Sequence, residues 1–245
     1  MSARKSFLPA WLVVVPLLTA GPTVAQVLGP RPMTVRYVES HFRDSDGTLM
    51  SQSQKVWAVR SDGSVVEPRF STAPDGQMYQ QRIITDAAQG KRIVVDGITE
   101  SITTYVLTDR AVRALRTPGG GCLNRKGEEA EPVFGYATVR VEMPLADKTV
   151  QEWLAPELNC VPLRSTLSKL MPDGTQRVLV RREVGDVAFG EPDAALFTAP
   201  DWPERSPSQV LELFRQKYGL PATAQLERTK QITDQAYQAQ RTPRP

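Results

Sequence analysis

Short segments of alternating apolar and polar residues, separated by Asp-Gly turns, constrain this chain more than any other feature. The turns are Asp62-Gly63, Asp96-Gly97 and Asp173-Gly174, and this dipeptide supplies the positive φ angles that tight hairpins need. The alternation between the turns is typical of half-buried strands, because successive side chains point to opposite faces. About ten such strands predict a mainly β fold built as one meandering antiparallel sheet. The long hairpin around Asp173-Gly174 favours a sheet that curls over a core or a cavity.

One C-terminal helix is predicted over residues 206–218. Ser206 is suited to cap it, Pro207 fits the first helical position, and Gln209 stands three residues after the cap. Gly219 supplies the stop. We expect the single β domain with this helix to cover residues 33–221, after an extended lead-in over residues 26–32. Residues 222–245 are polar and predict a partly disordered tail.

The first 25 residues have the layout of a secretory signal peptide. Arg4 and Lys5 precede an apolar run of about 12 residues, and small residues lead up to Ala25. The run is too short for the roughly 20 residues of a membrane-spanning helix. The sequence therefore predicts cleavage before Gln26, a periplasmic or secreted protein, and no membrane span after removal of the signal.

Composition argues against several functional classes. The chain has 30 Lys and Arg against 27 Asp and Glu, a balance that gives no electrostatic case for nucleic acid. His41 is the only histidine and lies within a predicted strand, so a histidine-based zinc site is excluded and a catalytic triad is disfavoured. No motif for a cofactor is present. We expect a protein that is not an enzyme and holds neither metal nor cofactor.

Cys122 and Cys160 are the only cysteines. Export permits a disulfide, and two cysteines allow a single intramolecular pairing. A Cys122–Cys160 bridge would stabilise the fold by roughly 4 kcal/mol on the chain-entropy model. The alternative is a pair of buried thiols.

Two motifs in the last 100 residues carry a family resemblance. They are EWLAPELNC, from Glu152 to Cys160, and GEPDAALF, from Gly190 to Phe197, with the Asp173-Gly174 hairpin between them. The chain resembles exported bacterial proteins whose closing strands are followed by a segment similar to GEPDAALF. These include the periplasmic lipoprotein-carrier (LolA/LolB-like) group. The resemblance implies a half-barrel, a curled antiparallel sheet that holds acyl chains in an apolar hollow under helical lids.

This resemblance and the strand alternation together predict a ligand site. The expected lining consists of apolar residues on the central strands and the C-terminal helix: Trp153, Leu163, Leu167, Val178, Val180, Phe189, Val210, Phe214 and Tyr218. One hypothesis is a periplasmic binding or carrier protein for an acyl or other lipid-like ligand. The alternative is a protein-interaction or envelope-sensor module on the same half-barrel, with an envelope protein as its partner.

Overall fold

A computed structural model describes residues 30–69, 79, 81–117, 127–145 and 147–241. Eleven strands form one antiparallel sheet in this part of the chain. They are β1 (Met33–Phe42), β2 (Leu49–Val59), β3 (Val65–Pro68), β4 (Gln81–Asp86), β5 (Lys91–Asp96), β6 (Ser101–Val106), β7 (Glu128–Val133), β8 (Tyr136–Leu145), β9 (Lys148–Ala155), β10 (Val161–Leu170) and β11 (Gln176–Phe189). The predicted mainly β, antiparallel fold class is confirmed.

The sheet consists of two hairpin-built halves that meet at a single strand pair. The strand order is β6-β5-β4-β3-β2-β1-β11-β10-β9-β8-β7. Within each half every neighbour is also the next strand in sequence, whereas β1 pairs with β11 across about 150 residues. We call this β1–β11 pair the seam. The sheet stays open, with β6 and β7 as its edges.

Alternation along β1 defines an inner and an outer face of the sheet. Met33, Val35, Tyr37, Glu39 and His41 all point to the inner face, and all five are buried. The register carries this face onto the neighbouring strands, because directly opposed residues share a face.

The inner face carries the larger of two hydrophobic cores. Its buried side chains include Met33, Val35, Tyr37, Trp57 and Leu163. The smaller core lies on the outer face of β3 to β5, formed by Val66, Ile84 and Val95. The segment after β11 covers it with Leu196, Phe197, Ala199 and Trp202. This explains part of the GEPDAALF motif: its last residues form a 3₁₀ turn, Ala194–Phe197, that packs on the sheet.

Three α-helices accompany the sheet: α1 (Asp109–Arg116), α2 (Pro207–Lys217) and α3 (Ala224–Arg241). The capping box of Ser206 and Gln209 forms as predicted. α3 occupies most of the segment for which the sequence predicts a polar, partly disordered tail. It packs against α2 and β6, where Tyr237 is buried with its ring 5.5 Å from that of Tyr105. Contacts with both α2 and β6 therefore hold a helix whose own sequence is mostly polar.

None of the helices within these ranges is both long and apolar enough to cross a bilayer.

Candidate ligand-binding hollow

The helix α1 is held close against the turn between β2 and β3. Thr108 caps its first turn by accepting a hydrogen bond from the Ala111 amide at 3.2 Å. At its other end, the space where a Cβ of Gly63 would stand is 2.8 Å from the Leu115 carbonyl oxygen. Gly63 also has φ +87°, which favours glycine. A side chain at this position would therefore displace α1 from the sheet.

An apolar compartment lies between α1 and the inner face. It has a volume of about 250 Å³. Most of its lining is apolar and comes from β2, β3, α1 and the start of β10, including Trp57, Val65, Leu107, Ala114, Leu115 and Val161. Two charged residues, Glu67 and Arg92, also line it. Both halves of the sheet contribute, so the compartment exists only when the seam is formed.

A charged compartment adjoins the apolar one and shares Trp57, Glu67 and Pro162 with it. Its volume is about 450 Å³. The charged groups in its lining are Glu67, Arg69, Glu152 and Arg182, and the aromatic ones are Tyr37 and Trp57. A third cavity of about 470 Å³ continues from Arg69 and Ile83 toward α3. We call these three connected cavities the hollow.

A row of polar residues crosses the inner face at the charged compartment. Five strands, β9, β10, β11, β1 and β2, contribute one residue each. The members, in register order, are Glu152, Ser165, Arg182, Glu39 and Ser53. The hydroxyls of Ser165 and Ser53 are buried and have no hydrogen-bond partner within the described chain. This polar row is unusual, because inner-face positions of a sheet normally carry apolar side chains.

Glu39 is the centre of the charges in this region. Its side chain is 1% exposed. Arg182 Nε donates to Glu39 Oε2 at 2.9 Å, and His41 Nε2 lies 3.0 Å from Oε1. Lys55 Nζ lies 3.6 Å from the same oxygen. We call Glu39, His41, Lys55 and Arg182 the Glu39 cluster; its Glu39–Arg182 pair crosses the seam.

The electrostatics of the cluster keep Glu39 ionised. Burial alone would raise the pKa of this carboxyl group, but the hydrogen bond from His41 and the positive charges of Arg182 and Lys55 outweigh it, so the pKa lies below its ordinary value. Burial raises the pKa of Tyr37 far above its ordinary value. The neutral phenol donates to the Pro162 carbonyl oxygen at 2.9 Å, linking β1 to the start of β10.

The structure lines the hollow with residues other than the nine predicted from the sequence. Leu163, Leu167 and Val180 are buried in the sheet. Val178 is half-buried near the start of β11. Leu163 is 0% exposed and belongs to the packed inner core, not to a cavity wall. Because the curled strands pack against one another here, the apolar alternation of β10 and β11 fills space rather than enclosing it.

Trp153 and Phe189 lie away from the hollow. Trp153 is buried and belongs to the same packed core as Leu163, with the Arg164 guanidinium 5.3 Å from its ring centroid. Phe189 is 43% exposed at the end of β11, with the Arg31 guanidinium 3.5 Å from its ring centroid.

The predicted lid residues Val210, Phe214 and Tyr218 are half-buried. Phe214 and Tyr218 contact each other, with ring centroids 4.9 Å apart. The helix that carries them, α2, packs mainly against α3. The helix over the hollow is α1.

Other sequence-based predictions fall outside the described residues. Residues 1–25 and Cys122 are among these, so the signal peptide and the Cys122–Cys160 bridge stay predictions. Cys160 itself is buried beside the apolar compartment. Over the described ranges, no group of three or more His, Cys, Asp or Glu side chains is arranged to hold a metal ion.

Sequence reasoning missed the Glu39 cluster, although one signal was present. Glu39 and His41 continue the same alternation as Val35 and Tyr37, so a strand buried on that face must bury them too. A buried charge requires a partner. The partner, Arg182, is 143 positions away, and nothing local distinguishes it from the other basic residues.

Comparisons with known proteins identify no family. No protein-family model matches the sequence, and no curated protein matches it. Among solved structures, crystal structures of PNGF-II in the P21 and C2 space groups align with TM-scores of 0.42 and 0.43 at 10% identity. The alignments cover 75% of this chain but 33% and 32% of those chains, so this chain spans about a third of their length. Likeness at this level carries no argument about function.

Proposed function

We propose that this protein binds or carries an amphipathic, lipid-like ligand in its hollow. The observation that carries the proposal is that two compartments with different numbers of charged groups adjoin each other. The space under α1 has a mostly apolar lining with two charged residues, and it shares Trp57 and Glu67 with a space lined by four charged groups. Ligand sites in proteins typically combine an apolar wall with a few placed polar groups. In this arrangement the apolar part of the ligand lies under α1 and its polar end faces the inner-face charges.

The placement of Ala114 allows a direct test. Ala114 lines the apolar compartment from α1, so Ala114→Phe fills space that the ligand's chain would occupy. We expect the affinity for a fluorescent fatty-acid probe to fall by about tenfold or more, since each 1.4 kcal/mol of lost contact is a factor of ten. Ala239→Phe is the matched control, because Ala239 is exposed on α3. Circular dichroism verifies that both variants keep the β fold.

Native mass spectrometry of protein purified from its own host complements this test. A co-purifying lipid would support the proposal. Absence of any bound molecule, together with no probe binding by the parent protein, would contradict it. That result would favour the alternative, a protein-interaction or envelope-sensor module.

We also propose that the mature protein works outside the cytoplasm, in the periplasm or secreted. The support is the signal-peptide layout of residues 1–25. N-terminal sequencing of the exported protein should find Gln26 first, and a retained Met1 in the membrane fraction would contradict this.

A further inference from the structure

We infer that the polar end of the ligand is an uncharged, hydroxyl-rich headgroup of the sugar or glycerol type. The inference rests on the proposed function and names the class of ligand. It rests on the balance of charges in the charged compartment and on which hydrogen bonds those groups can make.

The charges that line this compartment cancel. Glu67 and Glu152 supply two carboxylates, and Arg69 and Arg182 supply two guanidinium groups. Behind them, Glu39 faces Lys55 and His41 as well as Arg182. An anionic headgroup would meet the two carboxylates, and a cationic one would meet the two guanidinium groups. A neutral headgroup avoids both repulsions.

The hydrogen-bonding chemistry favours hydroxyl groups. A carboxylate only accepts hydrogen bonds and a guanidinium only donates them, whereas a hydroxyl does both. A headgroup with several hydroxyls can therefore satisfy Glu67 and Arg69 at the same time. Neither of these side chains makes an ion pair with another described residue.

Two further features suit a sugar or glycerol unit. Trp57 and Tyr37 present aromatic surface in the same compartment, and aromatic side chains pair an apolar face with polar surroundings. Ser165 stands between Glu152 and Arg182 in the register, and its buried hydroxyl is unpartnered among the described residues. The polar row thus adds further hydrogen-bond donors and acceptors on the inner face beside the compartment.

A headgroup series with one chain length tests the inference. Decyl maltoside, decanoate and decyltrimethylammonium, each below its micelle concentration, compete with the neutral fluorescent probe N-phenyl-1-naphthylamine for the parent protein. We expect decyl maltoside to bind at least about fivefold more tightly than either charged ligand, as a few neutral hydrogen bonds allow. Equal affinities, or tighter binding of decanoate, would overturn the headgroup assignment and leave the proposed function standing. No competition by any member, with no probe binding, would overturn both.

Variants that each remove one charge test the direction in which the headgroup preference shifts. Glu67→Gln leaves an excess of positive charge in the compartment, so the preference should shift toward decanoate by about threefold or more. Arg69→Gln should shift it toward decyltrimethylammonium. Arg69 is exposed, so this variant should fold even if Glu67→Gln does not. Glu183→Gln, on the outer face beside Arg182, is the control and should change neither preference. Unchanged preferences in both test variants would contradict the inference.

Discussion

Two glutamates in this protein have nearly the same set of partners in opposite environments. Glu39 is held by Arg182, Lys55 and His41, and Glu212 by Arg215, Lys230 and Gln216. The side chain of Glu39 is 1% exposed, whereas that of Glu212 is 30% exposed. The Glu212–Arg215 pair is three residues apart on one helix, while the Glu39–Arg182 pair joins the first and last strands.

The difference shows that the number of ion pairs says little about how much each one contributes to stability. Hydrogen bonds from Arg215 and Lys230 hold the pKa of Glu212 well below its usual range. The side chains of Glu212, Arg215 and Lys230 are 15–30% exposed, however, and water screens their charges more than in the buried cluster. In the Glu39 cluster the low dielectric strengthens each contact and also penalises the loss of any partner. We therefore expect the buried cluster to govern stability and the exposed one to contribute little.

The largest effect is expected from Glu39→Gln. The change removes the carboxylate that Arg182 and Lys55 contact beside the inner core, and breaking a buried pair typically costs about 3–5 kcal/mol. Urea unfolding followed by tryptophan fluorescence measures the loss. Glu183→Gln, one position from Arg182 in sequence but on the outer face, is the control. Equal losses in the two variants would show that burial of Glu39 has no special weight.

A smaller effect is expected when both partners of the seam pair become apolar. Replacing a buried pair with apolar residues of similar size is often neutral or stabilising. The double variant Glu39→Leu with Arg182→Met should therefore be more stable than Glu39→Gln by about 1–3 kcal/mol. A double-mutant cycle in urea gives the coupling energy. Strictly additive losses would mean that the two side chains do not depend on each other.

The pH dependence of stability separates Glu39 from the remaining carboxylates. Its pKa in the folded protein lies below the ordinary 4.5, so its contribution is complete above about pH 4.5 and is lost as the pH falls through the lower folded value. The gap in unfolding free energy between the parent and Glu39→Gln should be constant at neutral pH and narrow on acidification. A gap that widens toward low pH would contradict the direction of the shift.

The smallest effect is expected for Glu212→Gln. The two ion pairs it breaks, with Arg215 on α2 and Lys230 on α3, are partly exposed, so salt screens the attraction. The melting temperature should fall by less than that of Glu39→Gln, and the difference from the parent should vanish in high salt. A salt-independent loss as large as that of the buried variant would remove the distinction between the two clusters.

Local sequence features predicted the elements of this fold well. The hairpin turns at Asp62-Gly63, Asp96-Gly97 and Asp173-Gly174 all connect adjacent strands. The capped helix near Ser206 also follows from local signals. Each of these turns and caps depends on residues within a few positions of one another, so it can be recognised from a single sequence.

What the sequence did not predict depends on contacts between distant residues. β7 lies in a charged segment that alternation does not mark, and it becomes a strand by pairing with β8. The lining of the hollow depends on which apolar residues fill the core, and alternation cannot separate a core leucine such as Leu163 from a cavity wall. The Glu39–Arg182 pair needs the register of the seam, which no local pattern specifies.

The seam also determines how the chain can be divided. Among the described residues, β1–β11 is the only strand pair between the two halves. A cut between α1 and β7 would therefore leave two fragments, each with its own run of consecutive strands. Each fragment would present an unpaired edge strand, which readily accepts a partner. We expect the two purified fragments to reassociate into a complex with the parent's circular dichroism spectrum. Glu39→Gln in the first fragment should weaken that reassociation, because the ion pair between Glu39 and Arg182 across the seam would be lost.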